Sequence, residues 1–133
     1  MTMPKKYIQL KDLEVYQLAR ELSRLAWKIY ESLNWQDKKI MGDQFISSTD
    51  SVGANIAEGY GRFHYLDKIK FFYNARGSLL ESYTHWLELL YEREKITTEQ
   101  FEIMKSVLEK LTLKLNNFIS SIYKAKQSEL KLN

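Results

Sequence analysis

Apolar residues return every three or four positions through four long stretches of this sequence, and almost nothing interrupts them. In the first stretch Val15, Leu18, Leu22, Leu25, Ile29 and Leu33 form one stripe, which Ala19 and Ala26 widen. That spacing matches the turn of an α-helix and excludes the alternation of a half-buried strand. One proline and five glycines in 133 residues leave few places where a helix must break. The chain is thereby restricted to long helices packed on their apolar faces.

The stripe predicts a first helix over Leu13–Leu33, with Asp12 as its N-cap and Asn34–Asp37 as a turn. A second helix is expected from Lys38 to Glu58, carrying Met41, Phe45, Val52 and Ile56 inward and ended by Gly59 and Gly61. Its middle, Ser47–Ser51, is polar beside the small Gly53 and Ala54, which predicts buried hydrogen bonds and a close helix approach. Gly77 is expected to serve close approach in the same way. The third helix fits Tyr65–Tyr91, with Ile69, Phe72, Tyr73, Leu79, Leu80, Tyr83, Trp86, Leu87 and Leu90 as a broad apolar face. The fourth starts at a capping box, Thr97 with Gln100, flanked by the staple pair Ile96 and Phe101. It runs through Met104, Leu108, Leu111, Leu115, Phe118 and Ile122 and is expected to fray near Lys126.

Connections this short make consecutive helices antiparallel neighbours. The expected fold is all-α: one antiparallel up-down-up-down four-helix bundle over 1–133, with a short lead (1–11) and a frayed basic tail (125–133). A three-helix bundle with a loose last helix is the alternative, disfavoured by the strong start at Thr97. The absence of cysteine removes disulfides and thiolate sites. No apolar run approaches the roughly 20 residues that span a bilayer, and Met1–Lys6 holds no apolar signal core, so a cytoplasmic protein without membrane contact is expected.

Two stretches are more particular than generic bundle sequence: Ser51–Arg62 (SVGANIAEGYGR) and Phe72–Glu81 (FYNARGSLLE). With Leu13–Ala19 (LEVYQLA), they resemble the bacterial four-helix-bundle family encoded in intervening sequences of large-subunit ribosomal RNA genes. That family includes relatives of the accessory variability determinant of diversity-generating retroelements. The resemblance runs from about Leu10 to Tyr123. It implies a bundle that assembles as a homopentamer and, for the retroelement relatives, a basic surface that binds nucleic acid and a reverse transcriptase. For most members it implies no established activity. Members often carry an arginine two turns before the asparagine matched by Asn55, whereas Phe45–Ser48 here contains no basic residue.

Asn55, Glu58, Arg76, Ser78 and Glu81 fall in these stretches. They are expected to form a polar cluster that fixes the register of the second and third helices, with a ligand or RNA pocket as the alternative. Glu58 near a helix C-terminus needs a cation, for which Arg76 and Arg62 are the candidates. Basic residues offer two candidate nucleic-acid surfaces. Arg20, Arg24 and Lys28 step by four along the first helix, and Arg62, Lys68 and Lys70 are interleaved with Tyr60, Phe63 and Tyr65. Taken in one subunit, either patch also reads as an ordinary solvated face. A ring of copies would repeat the formal +3 charge and the ridge around itself.

Catalysis finds little support. Glu81, His85 and Glu88 make one partial metal site, but di-iron bundles need Glu-x-x-His pairs on two helices. No nucleophile elbow or phosphate loop is present. The expectation is therefore a non-enzymatic, homo-oligomeric module without metal or cofactor, binding RNA or DNA. A protein-interaction scaffold is the alternative.

Overall fold

The structure, a computed structural model, describes residues 8–132, so most of the lead 1–11 and the last residue of the expected tail lie outside the described residues. Four helical rods account for nearly all of it. α1 is Glu14–Ser32. α2 (35–61) joins Trp35–Asp37 to Asp43–Gly61 through a π-helical turn, Lys38–Gly42. α3 (65–92) likewise joins Tyr65–Leu80 to Glu88–Glu92 through a π-helical segment, Glu81–Leu87. α4 is Thr98–Leu132, about 50 Å long at 1.5 Å per residue.

Helix starts follow local hydrogen bonding more closely than the apolar stripes suggest. Asp12 does not cap α1. It closes a short 3-10 turn, Leu10–Asp12, and Leu13 takes the cap position with its side chain turned into the core. Asn34 rather than Asp37 caps α2, its Oδ1 accepting the Asp37 N–H at 2.8 Å, so α2 begins within the expected turn. Asp37 instead pairs with Lys95 at 3.1 Å and ties the α1–α2 connection to the α3–α4 connection. At α4 the capping box forms in both directions, Thr97 N–H to Gln100 Oε1 at 2.9 Å and Gln100 N–H to Thr97 Oγ1 at 3.0 Å.

Helix ends also differ from expectation. Gly59 and Gly61 lie inside α2, which ends at Gly61 with Arg62 in extended geometry. A Cβ on Gly59 would stand 3.0 Å from Phe72 Cε1 and 3.1 Å from the Lys68 carbonyl, so this glycine serves close approach to α3. Gly77 does not, since a Cβ there meets nothing within 4 Å. α3 closes with Glu94 at a φ of 58°, and Lys95 N–H bonds back to the Leu90 carbonyl at 2.9 Å. This is a Schellman-type end without the usual glycine. α4 does not fray near Lys126 but stays helical to Leu132, because no proline or glycine stops it and Lys126 pairs with Glu129 one turn on.

Contacts pair the rods as α1–α2, α2–α3, α3–α4 and α4–α1, closing a four-cornered bundle. Their registers run in opposite directions. Gly42 lies against Tyr30 and Leu33, and Gly53 against Ala19 and Tyr16. Further along, Gly59 meets Lys68 and Phe72 while Thr49 meets Ser82. Phe72 meets Phe118 edge-on at 5.0 Å, and Tyr91 stacks on Phe101 at 4.2 Å. The core holds Leu22, Phe45, Ile56, Phe72, Leu108 and Leu111, none of them exposed.

Within α3 the buried positions Leu79, Ser82, Leu87 and Leu90 step by three, five and three. The π segment absorbs the step of five, one residue more than an α-turn holds, and returns Leu87 and Leu90 to the core. The apolar face is correspondingly narrower than expected, and Tyr73 and Leu80 stand exposed.

Candidate functional site

The five residues expected to cluster do not meet. Asn55 donates from its amide to the Ser51 carbonyl at 2.8 Å, within its own helix. Glu58 pairs with Arg62 at 3.2 Å, both exposed. Arg76 lies on the α4-facing side of α3, donating to Asn116 Oδ1 at 3.3 Å and resting over the Tyr73 ring at 4.8 Å. Arg76 therefore misses Glu58, because α2 meets the opposite side of α3, at Lys68, Phe71 and Ser82. Ser78 is half-buried, and Glu81 accepts the Trp86 indole N–H at 2.8 Å across the π segment. The buried polar contact at the α2–α3 interface is instead Thr49 with Ser82, drawn from the polar stretch of α2 and the π segment of α3.

Arg20, Arg24 and Lys28 form the expected ridge. All three are exposed on the outer side of α1, with successive roots about 6 Å apart along the helix axis. Among the described residues, none of the four ion pairs engages them. Arg20 donates to the Tyr16 hydroxyl at 3.0 Å and lies over that ring, which holds its guanidinium outward. Trp27, half-exposed, flanks the ridge and stacks on Tyr30 at 5.4 Å. Tyr30 in turn donates to Asp43 Oδ1 at 2.7 Å, and this hydrogen bond, more than partial burial or the carboxylate charge, raises its pKa.

The second basic group splits. Arg62 is held by Glu58 and covers the Phe71 ring at 4.9 Å. Lys68 is half-buried over Tyr60 at 5.9 Å, and Lys70 is exposed.

Sequence reasoning missed a groove of about 750 Å3 between α3 and α4, lined by Tyr73, Arg76, Leu80, Tyr83, Glu109 and Leu113. Gly77 forms part of its wall, and the open space above that glycine belongs to the groove. At one end the Tyr83 hydroxyl donates to Glu109 at 3.4 Å, and burial first, then Glu109, Glu88 and Glu102, raise its pKa. The available signal was a glycine one turn from two side chains, Tyr73 and Leu80, assigned to the core. Near it, His85 sits edge-on to Trp86 at 4.5 Å, and among the described residues no three His, Cys, Asp or Glu side chains converge as metal ligands. Nor is any helix among them long and apolar enough to cross a membrane.

Comparison with known proteins matches residues 11–117 to the 23S rRNA-intervening sequence protein family. A solved structure of a Bacteroides thetaiotaomicron protein of unknown function, from the S23 ribosomal protein family, is 30% identical to this chain with a TM-score of 0.75. The alignment covers 80% of this chain and 96% of that one. No curated protein matches.

Proposed function

As the chain belongs to the 23S rRNA-intervening sequence protein family, we propose that it is a non-enzymatic, self-associating cytoplasmic module that binds structured RNA or DNA through the α1 ridge. The observation that carries this reading is the row Arg20, Arg24 and Lys28, exposed on one side of a rigid helix with no acidic side chain paired to it among the described residues. Cations so placed exchange their counterions for phosphates, and the released ions drive binding. Self-association, as a pentamer by the family resemblance, would repeat the row and convert a weak single-subunit contact into a strong one.

Fluorescence anisotropy with a labelled RNA hairpin and a matched DNA duplex, at low and physiological salt, tests it. Arg20→Glu, Arg24→Glu and Lys28→Glu together should weaken binding at least about tenfold and flatten the salt dependence by about two to three phosphate contacts. Unchanged binding sinks the ridge assignment. Sedimentation velocity on the same samples reads the number of subunits.

The α3–α4 groove favours a second reading, a scaffold that docks a protein. Under it, a partner co-purifies after nuclease treatment and is lost on Leu80→Glu with Leu113→Glu.

A further inference from the structure

The corner between α2 and α3 holds a group that the ridge does not explain. Phe63, in the connection between the two helices, is 93% exposed, with no apolar neighbour covering it. The rings around it are each faced by a cation: Tyr60 by Lys68 at 5.9 Å, Tyr65 by Lys126 at 5.8 Å, and Phe71 by Arg62 at 4.9 Å. Phe63 has only the edge of His64, at 5.5 Å and 83°. Beside it the upper part of α4 runs past the start of α3 and leaves two adjoining hollows, of about 360 and 640 Å3. The hollows share Tyr65 and Lys126. Phe63 borders the smaller, and Leu66, Tyr123 and Leu130 border the larger.

Two kinds of surface combine exposed apolar groups with lysines. A tip that enters a lipid bilayer is convex, with its apolar groups outermost and its cations behind. Here the cations lie within the concavities: Lys68 and Lys126 line the hollow whose rim is Phe63. A ring at the rim and ammonium groups in the floor fit a flat group joined to an anion, that is, a nucleobase with its phosphate. Lys126 meets Glu129 only at 3.8 Å, and neither Lys68 nor Lys70 is in an ion pair among the described residues, so phosphate has little to displace.

We propose that the α2–α3 corner holds an unpaired nucleotide, its base stacked on Phe63 and its phosphate on Lys68 and Lys126. This rests on the nucleic-acid reading above but on different residues, since α1 lies diagonally across the bundle from α3. The corner would select loops, bulges or strand ends, whereas the ridge contacts phosphates of any duplex.

The test uses a short single-stranded oligonucleotide with one 2-aminopurine, whose fluorescence falls on stacking, against the full chain. Wild type should quench it. Phe63→Ala should abolish the quench and weaken binding about five- to tenfold, while Phe63→Trp retains both; the exposure of the site keeps either variant folded. The ridge triple variant should still quench. Absence of quenching by wild type, or equal quenching by Phe63→Ala, overturns the corner site and leaves the ridge to be judged by the hairpin titration. Phe63-dependent sedimentation with anionic phospholipid vesicles, without quenching, overturns it in favour of a membrane. Corner quenching alongside hairpin binding insensitive to the ridge variant supports the corner and removes the ridge.

Discussion

Thr49 Oγ1 and Ser82 Oγ lie 2.7 Å apart with no exposure of either residue, joining the polar stretch of α2 to the π segment of α3. Thr49 also reaches the Phe45 carbonyl at 2.8 Å. A threonine hydroxyl has one proton, so if Thr49 donates to that carbonyl, Ser82 donates to Thr49. Thr49→Val then strands a buried serine donor and should cost about 1–3 kcal/mol. Ser82→Ala removes the donor itself and should cost less. The double variant should cost less than the sum of the two, and a double-mutant cycle by urea denaturation reads the difference. Strict additivity would show that the two hydroxyls act independently.

Two glycines should respond oppositely to the same change. Gly59→Ala places a methyl against the Lys68 carbonyl, which cannot swing aside, and should lower stability. Gly77→Ala enters open space in a helix interior and should raise it by about 0.5–1 kcal/mol. Thermal or urea melts of the pair decide this, with the same sign for both as the contrary result.

Glu94 occupies a left-handed position that glycine adopts without strain. Glu94→Gly should therefore stabilise the chain by about 0.5–1 kcal/mol, the relieved strain outweighing the greater freedom of the unfolded glycine. An unchanged or lower urea midpoint would mean that the turn tolerates glutamate at no cost.

Tyr83 has its pKa raised above the ordinary 10.0 by burial and by Glu109, Glu88 and Glu102. Above that ordinary value the unfolded chain ionises this phenol first. The contribution is thus fully present below about pH 10 and is lost as pH rises through the higher folded value. Comparing wild type with Tyr83→Phe at about pH 8 and about pH 11 isolates it. Stability should move against wild type at the higher pH, and a constant difference would contradict the shift.

What was legible in the sequence depended on how local its cause was. The Thr97–Gln100 box forms because both bonds close within one turn, so spacing and residue type suffice. The α1 stripe is legible because an uninterrupted α-helix keeps its phase, and Val15, Leu18, Leu22, Ile29 and Leu33 are all buried. Asn34 and Asp37 are both good capping residues, and only the tie from Asp37 to Lys95 separates their roles. The expected cluster failed because Asn55 and Glu58 satisfy themselves within α2 while Arg76 faces α4. The basic residues of the ridge were legible as a row. The exposure of Phe63 was not, since apolar residues in a short connection have no period that says which way they point.

The π segment of α3 means that this helix holds one residue more than its core positions require. In a plain α-helix, losing a residue turns everything downstream by about 100°, sending buried positions to the surface. Here the loss of one residue between Ser82 and Leu87 would shorten their step from five to four, which an ordinary α-turn spans, so the second half of α3 would keep its face toward the core. Along this stretch the length of the gene is freer to drift by a codon than anywhere else in α3.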